Sequence, residues 1–229
     1  PISIVVGTGR GASRGILIKR AEALEKMQKV TTFVFDKTGT ITKGHPEVNA
    51  WVATAKNADT YLPIAYALEQ TSEHPLARSI IDWFEKKHKS ISQVSIVGSK
   101  AVAGKGIQGS YRGVTYRVGS VRFLDDAHVV LDLHRASLDT YARDGFTLLA
   151  FARGTELIGF FAVRDGIKDT SLEALSMLKK RGIHTVMVTG DTAPVAHAIA
   201  EQVGIDEVRA EVLPEDKVKI IKELKKAGA

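Results

Sequence analysis

The chain has no cysteine, no long apolar run and no repeated or low-complexity segment. Without cysteine it can form neither disulfides nor thiolate metal sites, which agrees with a reducing compartment. No stretch reaches the ~18 consecutive apolar residues of a membrane span, and no signal peptide is recognisable. Because 44% of its 229 residues are apolar, the chain can bury the core of one or two domains.

Lysine and arginine outnumber the acidic residues and give a net charge of +6, which could indicate a nucleic-acid partner. The lysines lie mostly in helical stretches such as residues 217–226, where Lys219, Lys222 and Lys226 share one face opposite apolar residues. Aromatic side chains that could stack on bases are not interleaved with them. A solvated helix face is therefore the better interpretation, and we expect no strongly salt-dependent binding to DNA.

Helices and strands alternate in the last third of the chain. The predicted elements there are a helix at 170–181, a strand at 184–189, a helix at 193–203, a short strand near Val208 and a final helix from Pro214. Such alternation is typical of a parallel α/β sheet. A β-branched and aromatic run at residues 30–35 predicts a buried strand that belongs to the same architecture.

The middle of the chain has a different pattern. Its predicted elements are two helical pieces within 57–89 that break near 71–75, an antiparallel meander at 91–123, a helix at 130–143 and a hairpin of strands 147–153 and 156–163. We therefore predict an α/β domain that is interrupted by an inserted α+β domain, an antiparallel sheet plus helices. Ahead of both, small residues lead into an amphipathic helix that ends near Lys29.

Asp36 follows the first predicted strand directly and begins the turn Asp-Lys-Thr-Gly-Thr. Open α/β sheets place their ligand sites at the carboxyl ends of their strands. A carboxylate there can attack a phosphoryl group if a cation and amide donors neutralise the incoming charge. Taken alone, this motif would more often be an ordinary polar turn.

Two further features favour phosphoryl chemistry over a plain turn. Thr189, Gly190 and Asp191 follow a second predicted strand, so they could lie at the same edge of the sheet. Lys217 lies in the first turn of the last predicted helix, where it could balance the charge of Asp36 and a phosphate.

The junctions of the two predicted domains carry a further pair of charged residues. Asp165 and Lys168 occur where the inserted domain rejoins the α/β domain, and we expect a hinge or a phosphate-side pair there. Closure across a hinge near His45 and Arg164 would bring the two domains together.

A strand-end aspartate, a strand-end threonine and a lysine, in that order, resemble the haloacid dehalogenase-like phosphotransferases. The string DKTGT at residues 36–40 narrows the resemblance to the P-type ATPases, for which it is a specific motif. The resemblance implies a Rossmannoid α/β phosphorylation domain in which ATP phosphorylates Asp36, and in which Asp36 and the carbonyl of Thr38 bind Mg²⁺. The implied catalytic site contains Asp36, Lys37, Thr38, Thr189, Gly190, Asp191 and Lys217.

Thr38 occupies a position at which this chain departs from the phosphatases of the same superfamily. Those enzymes carry a second aspartate there, which acts as general acid and base. An aspartyl phosphate should therefore survive longer here, which suits a pump and argues against the alternative of a soluble phosphatase. A nucleotide-binding fragment without phosphorylation activity is the other alternative, because the sequence stops at Ala229 without the Gly-Asp-Gly-x-Asn-Asp segment that completes the Mg²⁺ site in the family.

The predicted inserted domain resembles the nucleotide-binding domain of heavy-metal-transporting P-type ATPases. The resemblance is carried by EQTSEHPLA, which contains Glu69 and His74, and by Gly104-Lys-Gly106. It implies that Glu69 and His74 contact or orient adenine and that the two glycines let the base lie against the backbone. Ser120 stands where the family commonly has asparagine, at an implied ribose or phosphate contact.

The resemblance also implies a domain order and a biological role. Residues 1–19 would be the end of a transmembrane helix and its linker, residues 20–44 and 164–229 the phosphorylation domain, and residues 45–163 the nucleotide-binding domain. The implied function is ATP hydrolysis through an aspartyl phosphate, which drives export of a metal ion that binds elsewhere, copper first and zinc or cadmium otherwise. The implied partners are ATP, ADP, Mg²⁺ and the transmembrane and actuator domains of a parent pump, on the cytoplasmic side of a cell membrane.

Overall fold

A computed structural model of the chain describes residues 2–88, 94–102, 104–213 and 215–226. Within these residues the strands form two sheets, one parallel and one antiparallel. No helix in this part of the chain is both long enough and apolar enough to cross a membrane. Residues 91–93 of the predicted meander and Pro214, the predicted start of the last helix, lie outside the described residues.

The elements follow one another along the chain with short connections. In order they are α1 (Ile2–Ala12), α2 (Ala21–Met27), β1 (Thr32–Asp36), β2 (Thr42–Ala53), α3 (Leu62–Glu69), α4 (Pro75–Lys87), β3 (Val97–Val102), β4 (Gly106–Tyr111), β5 (Val114–Gly119), α5 (Val121–Asp126), α6 (Arg135–Arg143), β6 (Thr147–Arg153), β7 (Glu156–Ile167), α7 (Asp169–Lys180), β8 (His184–Val188), α8 (Ala193–Val203), β9 (Glu207–Arg209) and α9 (Lys217–Lys226). Short 3₁₀ turns at Ala58–Tyr61 and Asp132–His134 precede α3 and α6.

The parallel sheet has the strand order β1–β8–β9. Its core is formed by Met187 of β8, Leu175 of α7 and several apolar residues of α8, among them Val195 and Ile199. Asp36 is the register partner of Val188, so the carboxyl ends of β1 and β8 meet at one edge of the sheet. The turns that follow these two strands are thereby brought together.

The antiparallel sheet has the strand order β2–β7–β6–β5–β4–β3 and is covered on both faces. One core cluster joins the sheet to α3 and α4, and a second joins it to α5 and α6. In β6, Phe151 belongs to the first cluster while its neighbours Ala150 and Ala152 belong to the second. The unbroken apolar run of β6 is therefore that of a strand buried on both sides.

The connection between the two sheets is a two-stranded ribbon. In it, β2 and β7 pair in antiparallel fashion. Thr42 lies opposite Ile167 and, after a shift in register, Pro46 lies opposite Asp165. The carboxylate of Asp165 accepts hydrogen bonds from the amides of Gly44 at 3.0 Å and His45 at 3.1 Å, which satisfies the backbone at the shift. The domain boundaries that we predicted at 44/45 and 163/164 fall inside this ribbon.

The predicted meander at 91–123 was wrong at its end, where residues 121–126 form α5. The hydroxyl of Ser120 accepts a hydrogen bond from the amide of Phe123 at 3.1 Å, which caps the helix start. Phe123 and Leu124 are buried, so the helix is held by packing although it has fewer than two turns.

Two predicted helices have different limits in the structure. The helix predicted at 130–143 begins only at Arg135, because Val130 forms a bridge with Glu156 and cannot be helical at the same time. The amphipathic helix predicted to end near Lys29 is two helices, α1 and α2. Gly15 lies between them with a φ of 76°, a left-handed conformation that a glycine adopts without strain.

Candidate active site and nucleotide cavity

The segment after β1 is a tight turn that holds Asp36 at the edge of the parallel sheet. Thr38 (φ −72°, ψ 126°) and Gly39 (φ 73°, ψ −9°) have the backbone angles of a type II turn, which requires glycine at its third position. The hydroxyl of Thr42 accepts from the amide of Gly39 at 3.2 Å and donates to the carbonyl of Lys37 at 3.2 Å. Thr42 is fully buried, and sequence reasoning missed its role in supporting the turn.

Asp36 forms an ion pair with Lys217, at 2.9 Å between Oδ2 and Nζ. Lys217 is the first residue of α9 and lies 181 positions further along the chain. About half of the Asp36 side chain, 51%, is exposed to solvent. An accessible carboxylate beside a cation reduces the negative charge that an incoming phosphoryl group would meet.

Lys37 forms a second ion pair, which is buried. Its Nζ lies 2.7 Å from Asp191 Oδ2, and only 7% of its side chain is exposed. Thr189 is also buried, and its hydroxyl donates to Asp191 at 3.0 Å while accepting from the amide of Asp191 at 3.2 Å. This network fastens the turn after β1 to the turn after β8, with the exposed Gly190 between Thr189 and Asp191.

The predicted catalytic residues thus divide into two groups. Asp36 and Lys217 are accessible to solvent and form one ion pair, while Lys37 and Asp191 form a second ion pair that is largely buried. The first pair can meet a substrate, and the second holds the geometry around it. Their roles in catalysis stay predictions.

Asp165 and Lys168 do not form a pair with each other in the structure. Asp165 binds the backbone amides of the ribbon, and Lys168 donates from Nζ to the carbonyl of Gly39 at 2.5 Å. The backbone of Lys168 also donates to the carbonyl of Ile41 at 3.0 Å. Lys168 therefore supports the turn that carries Asp36, and a hinge role for either residue stays a prediction.

The edge of the parallel sheet offers oxygen donors of the kind that Mg²⁺ prefers. Among the described residues, no three His, Asp or Glu side chains form a ready-made metal cluster. Mg²⁺ commonly binds through one or two carboxylates together with substrate phosphates and water. The accessible carboxylate of Asp36 and the carbonyl of Thr38 in the exposed turn fit such a site.

The antiparallel sheet carries a cavity of about 440 Å³ between α3, α4 and strands β3 to β6. That volume suits a small organic ligand. All the residues that we predicted to bind nucleotide line this one cavity: Glu69, His74, Gly104, Gly106 and Ser120. Sequence reasoning missed its apolar wall, which includes Leu76, Ala77, Ile107, Val118 and Leu149.

His74 and Ser120 begin helices at the rim of the cavity. His74 precedes α4, and its Nδ1 accepts a hydrogen bond from the amide of Leu76 at 3.2 Å. In the neutral ring the proton therefore lies on Nε2, which remains as a donor. The hydroxyl of Ser120 is occupied in capping α5, while its amide donates to the carbonyl of Lys105 at 2.8 Å.

The two glycines that we predicted to bind nucleotide occupy their positions for different structural reasons. Gly106 is the cross-strand partner of Gly119, and a Cβ on Gly106 would lie 2.3 Å from the carbonyl oxygen of Val118. Its lack of a side chain is therefore required by packing within the sheet itself. Gly104 has a φ of 68° and open space where a Cβ would be, so it serves as a turn residue at the cavity edge.

Glu69 is the last residue of α3 and is only 5% exposed. Burial raises the pKa of its carboxyl from the ordinary 4.5 to about 7. Such a group changes charge near neutral pH, unlike an exposed glutamate.

A sequence profile described as haloacid dehalogenase-like hydrolase matches residues 30–229, so the chain belongs to that hydrolase family. This agrees with the α/β fold and with the strand-end position of Asp36, and it confirms the predicted fold class.

Within that family the chain is most informatively compared with metal-exporting pumps. It is 41% identical over 228 residues to a copper-exporting P-type ATPase of Vibrio cholerae and 38% identical over 229 residues to a silver exporting P-type ATPase of Salmonella typhimurium. Both matches cover 100% of the chain but only 25% and 28% of the two relatives.

Solved structures show a similar likeness. A zinc-transporting PIB-type ATPase in its E2·Pi state matches with a TM-score of 0.71 and 31% identity, over 98% of this chain and 36% of that one. The catalytic domain of the CPx-ATPase CopB-B shares the fold, with a TM-score of 0.70 over 96% of this chain. These comparisons confirm that the chain resembles heavy-metal P-type ATPases along its whole length.

Proposed function

We propose that this chain is the ATP-binding and phosphoryl-accepting part of a P-type ATPase that exports a metal ion. The observation that carries the proposal is the accessible Asp36 of the DKTGT turn, held at the carboxyl end of β1 and paired with Lys217 at 2.9 Å. The cavity that contains Glu69 and His74 supplies a separate place for the adenine base.

In this proposal an Oδ atom of Asp36 attacks the γ-phosphorus of ATP. The bond between that phosphorus and the β,γ-bridging oxygen breaks, ADP leaves, and an acyl phosphate remains on Asp36. Lys217 offsets the charge that gathers around the carboxylate, and the buried Lys37–Asp191 pair keeps the two strand-end turns in register. A bound Mg²⁺ would offset the charge of the phosphates.

Thr38 shapes the lifetime of the intermediate. It is exposed and has no acidic group, so the turn offers no general base at this position to activate water against the acyl phosphate. We infer an intermediate that persists long enough to be coupled to transport.

The proposed role in a parent pump rests on similarity along the whole of this chain to about a quarter of the length of P-type ATPases. Copper is the proposed cargo, with silver, zinc or cadmium as alternatives, and it would bind outside this chain. Transmembrane and actuator domains are the proposed partners, and the proposed location is the cytoplasmic side of a membrane. We also propose the division into residues 1–19, 20–44 with 164–229, and 45–163, with nucleotide bound by the last.

Acid-quenched labelling of the chain with γ-labelled ATP and Mg²⁺ tests this proposal. We expect a hydroxylamine-sensitive label that disappears in Asp36→Asn and persists in Asp132→Asn, which changes a 92% exposed aspartate elsewhere. A chain that binds ATP but never becomes labelled would contradict phosphoryl transfer to Asp36. Label that survives in Asp36→Asn would contradict the choice of nucleophile.

A further inference from the structure

The carboxyl end of α6 touches a helix that belongs to the other sheet. α6 packs into a core of the antiparallel sheet through Leu138, whereas α8 packs into the core of the parallel sheet through Val195. The two helices meet at Gly145, where a Cβ would lie 3.2 Å from the Cβ of Ala198 in α8. Gly145 is buried and has a φ of 82°, so a glycine suits both the turn after α6 and this close approach.

Arg164 of β7 holds the end of α6 in place. Its guanidinium carbon lies 4.0 Å from the centre of the Phe146 ring, and its Nη2 donates a hydrogen bond to the carbonyl of Asp144. The last carbonyls of a helix carry partial negative charge, so a cation that donates to one of them is favourable. The same Nη2 lies 3.8 Å from the position of a Cβ on Gly145, which places Arg164 directly beside the contact with α8.

The end of α6 is also fixed to the antiparallel sheet by aromatic packing. The ring of Phe146 meets that of Tyr141 edge to face, with 5.7 Å between their centres. Tyr141 in turn packs against the fully buried Phe160 of β7 at 5.4 Å. A movement of this helix end against α8 would therefore carry the antiparallel sheet with it.

The contact lies at the end of the antiparallel sheet that carries the cavity. Thr147, which follows Phe146 directly, lines the cavity and pairs with Val163 of β7. Arg164 is the next residue of β7, and it is followed by Asp165, whose carboxylate binds the amides of the ribbon. Arg164 therefore lies between the cavity and the ribbon that leads to the parallel sheet.

A contact beside the ribbon limits how the two sheets can turn relative to each other. Two regions that are joined by a two-stranded ribbon alone could twist about it. Phosphoryl transfer from a nucleotide in the cavity to Asp36 needs the reacting atoms within roughly 3–3.5 Å, and a displacement of about 1 Å can slow a reaction about 10²-fold. A second point of contact between the regions reduces such displacements.

We propose that Arg164 is a positioning residue for phosphoryl transfer. It holds the end of α6 against α8 and thereby fixes the cavity in the orientation in which the γ-phosphate of ATP reaches Asp36. Arg164 acts through the helix end and not by contact with the nucleotide. The inference rests on the proposed function, since it takes ATP as the ligand of the cavity and Asp36 as the phosphoryl acceptor.

Removal of the guanidinium should affect the rate of transfer and not the binding of ATP. In Arg164→Ala we expect native ATP affinity by calorimetry and an about tenfold lower rate of phosphoenzyme formation at saturating ATP by rapid-quench labelling. Arg164→Lys keeps a cationic donor for the helix end and should restore part of the rate. Arg143→Ala is the matched control and should label at the native rate, because Arg143 lines the same cleft but binds the carbonyl of Asp139 in its own helix.

A disulfide between the two helices tests the orientation directly. The chain has no cysteine, so Gly145→Cys/Ala198→Cys introduces a single possible disulfide. The separation of 3.2 Å is close to the usual Cβ–Cβ distance of about 3.5–4.5 Å, and a small movement suffices to form the bond. We expect the oxidised double variant to form phosphoenzyme at least as fast as its reduced form. Each single variant under the same oxidant is the control.

Three results would overturn the inference and leave the proposed function standing. The first is an oxidised double variant that binds ATP but forms phosphoenzyme only after reduction, since the contact would then belong to an unproductive orientation. The second is a double variant that does not form the disulfide, and the third is an Arg164→Ala that transfers phosphate at the native rate. A native chain that binds ATP and never becomes labelled would overturn the proposed function and the inference with it. Thermal unfolding of each variant checks that the fold is intact.

Discussion

Asp36 and Glu69 are two carboxyl groups in contrasting surroundings. Asp36 lies at the edge of the parallel sheet, half exposed and in contact with Lys217. Glu69 lies in the cavity of the antiparallel region, where it is 5% exposed and forms no ion pair with any residue that the structure describes. The contrast fits the roles proposed for the two regions, because a nucleophile must be ionised and reachable, whereas burial without a paired cation favours the neutral form of a carboxyl group.

The two regions also differ in how they are built. The antiparallel sheet is buried on both faces and encloses its own cavity, whereas β1 of the parallel sheet is only partly buried along its length. The charged side chains of the parallel region hold its two strand-end turns together. We therefore expect charge substitutions to act mainly on the parallel region and changes of protonation to act mainly on the cavity.

The largest effect is expected at Lys217. Replacing it in Lys217→Met removes the cation beside Asp36, and we expect the rate of phosphoenzyme formation to fall about 10³-fold, as for the loss of one preorganised charge in an active site. Rapid-quench labelling measures the rate. Lys219→Met, two positions further along α9 and exposed, should label at the native rate, and equal effects of the two substitutions would remove Lys217 from the site.

The next effect is on stability, at the buried Lys37–Asp191 pair. Lys37→Met leaves a partly buried aspartate without its cation, which should lower the free energy of unfolding by about 3–5 kcal/mol. Urea unfolding measures it, and the double variant Lys37→Met/Asp191→Leu should regain most of the loss. Lys105→Met breaks an exposed ion pair and is the control. If it lowers the free energy of unfolding as much as Lys37→Met does, burial of the Lys37–Asp191 pair does not explain the loss of stability.

A smaller effect is expected from the protonation of Glu69. Because its pKa in the folded chain lies above the 4.5 of an exposed glutamate, its stabilising contribution is complete below pH 4.5 and is lost as the pH rises through about 7. At pH 8 we expect Glu69→Gln to have a free energy of unfolding about 2–3 kcal/mol above that of the native chain, and the two should converge at pH 4.5. Equal stability of the two at pH 8 would mean that Glu69 ionises without penalty.

The residues of the candidate site could be predicted from the sequence more completely than the connections between the helices and strands. Asp36, Thr189 and Lys217 could be predicted to converge because parallel strands end at a common edge, however far apart they are in the chain. The pairing of Lys37 with Asp191 could not, because no local pattern indicates which lysine is buried. The amides of Gly44 and His45 meet Asp165 across 121 and 120 positions, so the ribbon between the sheets had no local signal either.

The predicted limits of the helices were wrong for a similar reason. Val130 reads as part of a helix by its spacing, but a strand-like bridge to Glu156 competes for its backbone. Ser120 offered a recognisable cap signal for α5, which the β-rich composition around it outweighed.

The central claim is that base recognition and phosphoryl transfer are carried by separate regions of this chain. The most direct test follows phosphoenzyme formation as a function of ATP concentration, together with ATP affinity, in His74→Gln and Asp36→Asn. We expect His74→Gln to need more ATP yet reach the native plateau of label, and Asp36→Asn to bind ATP with native affinity while taking up no label. A lowered plateau in His74→Gln, or a loss of ATP binding in Asp36→Asn, would contradict the separation.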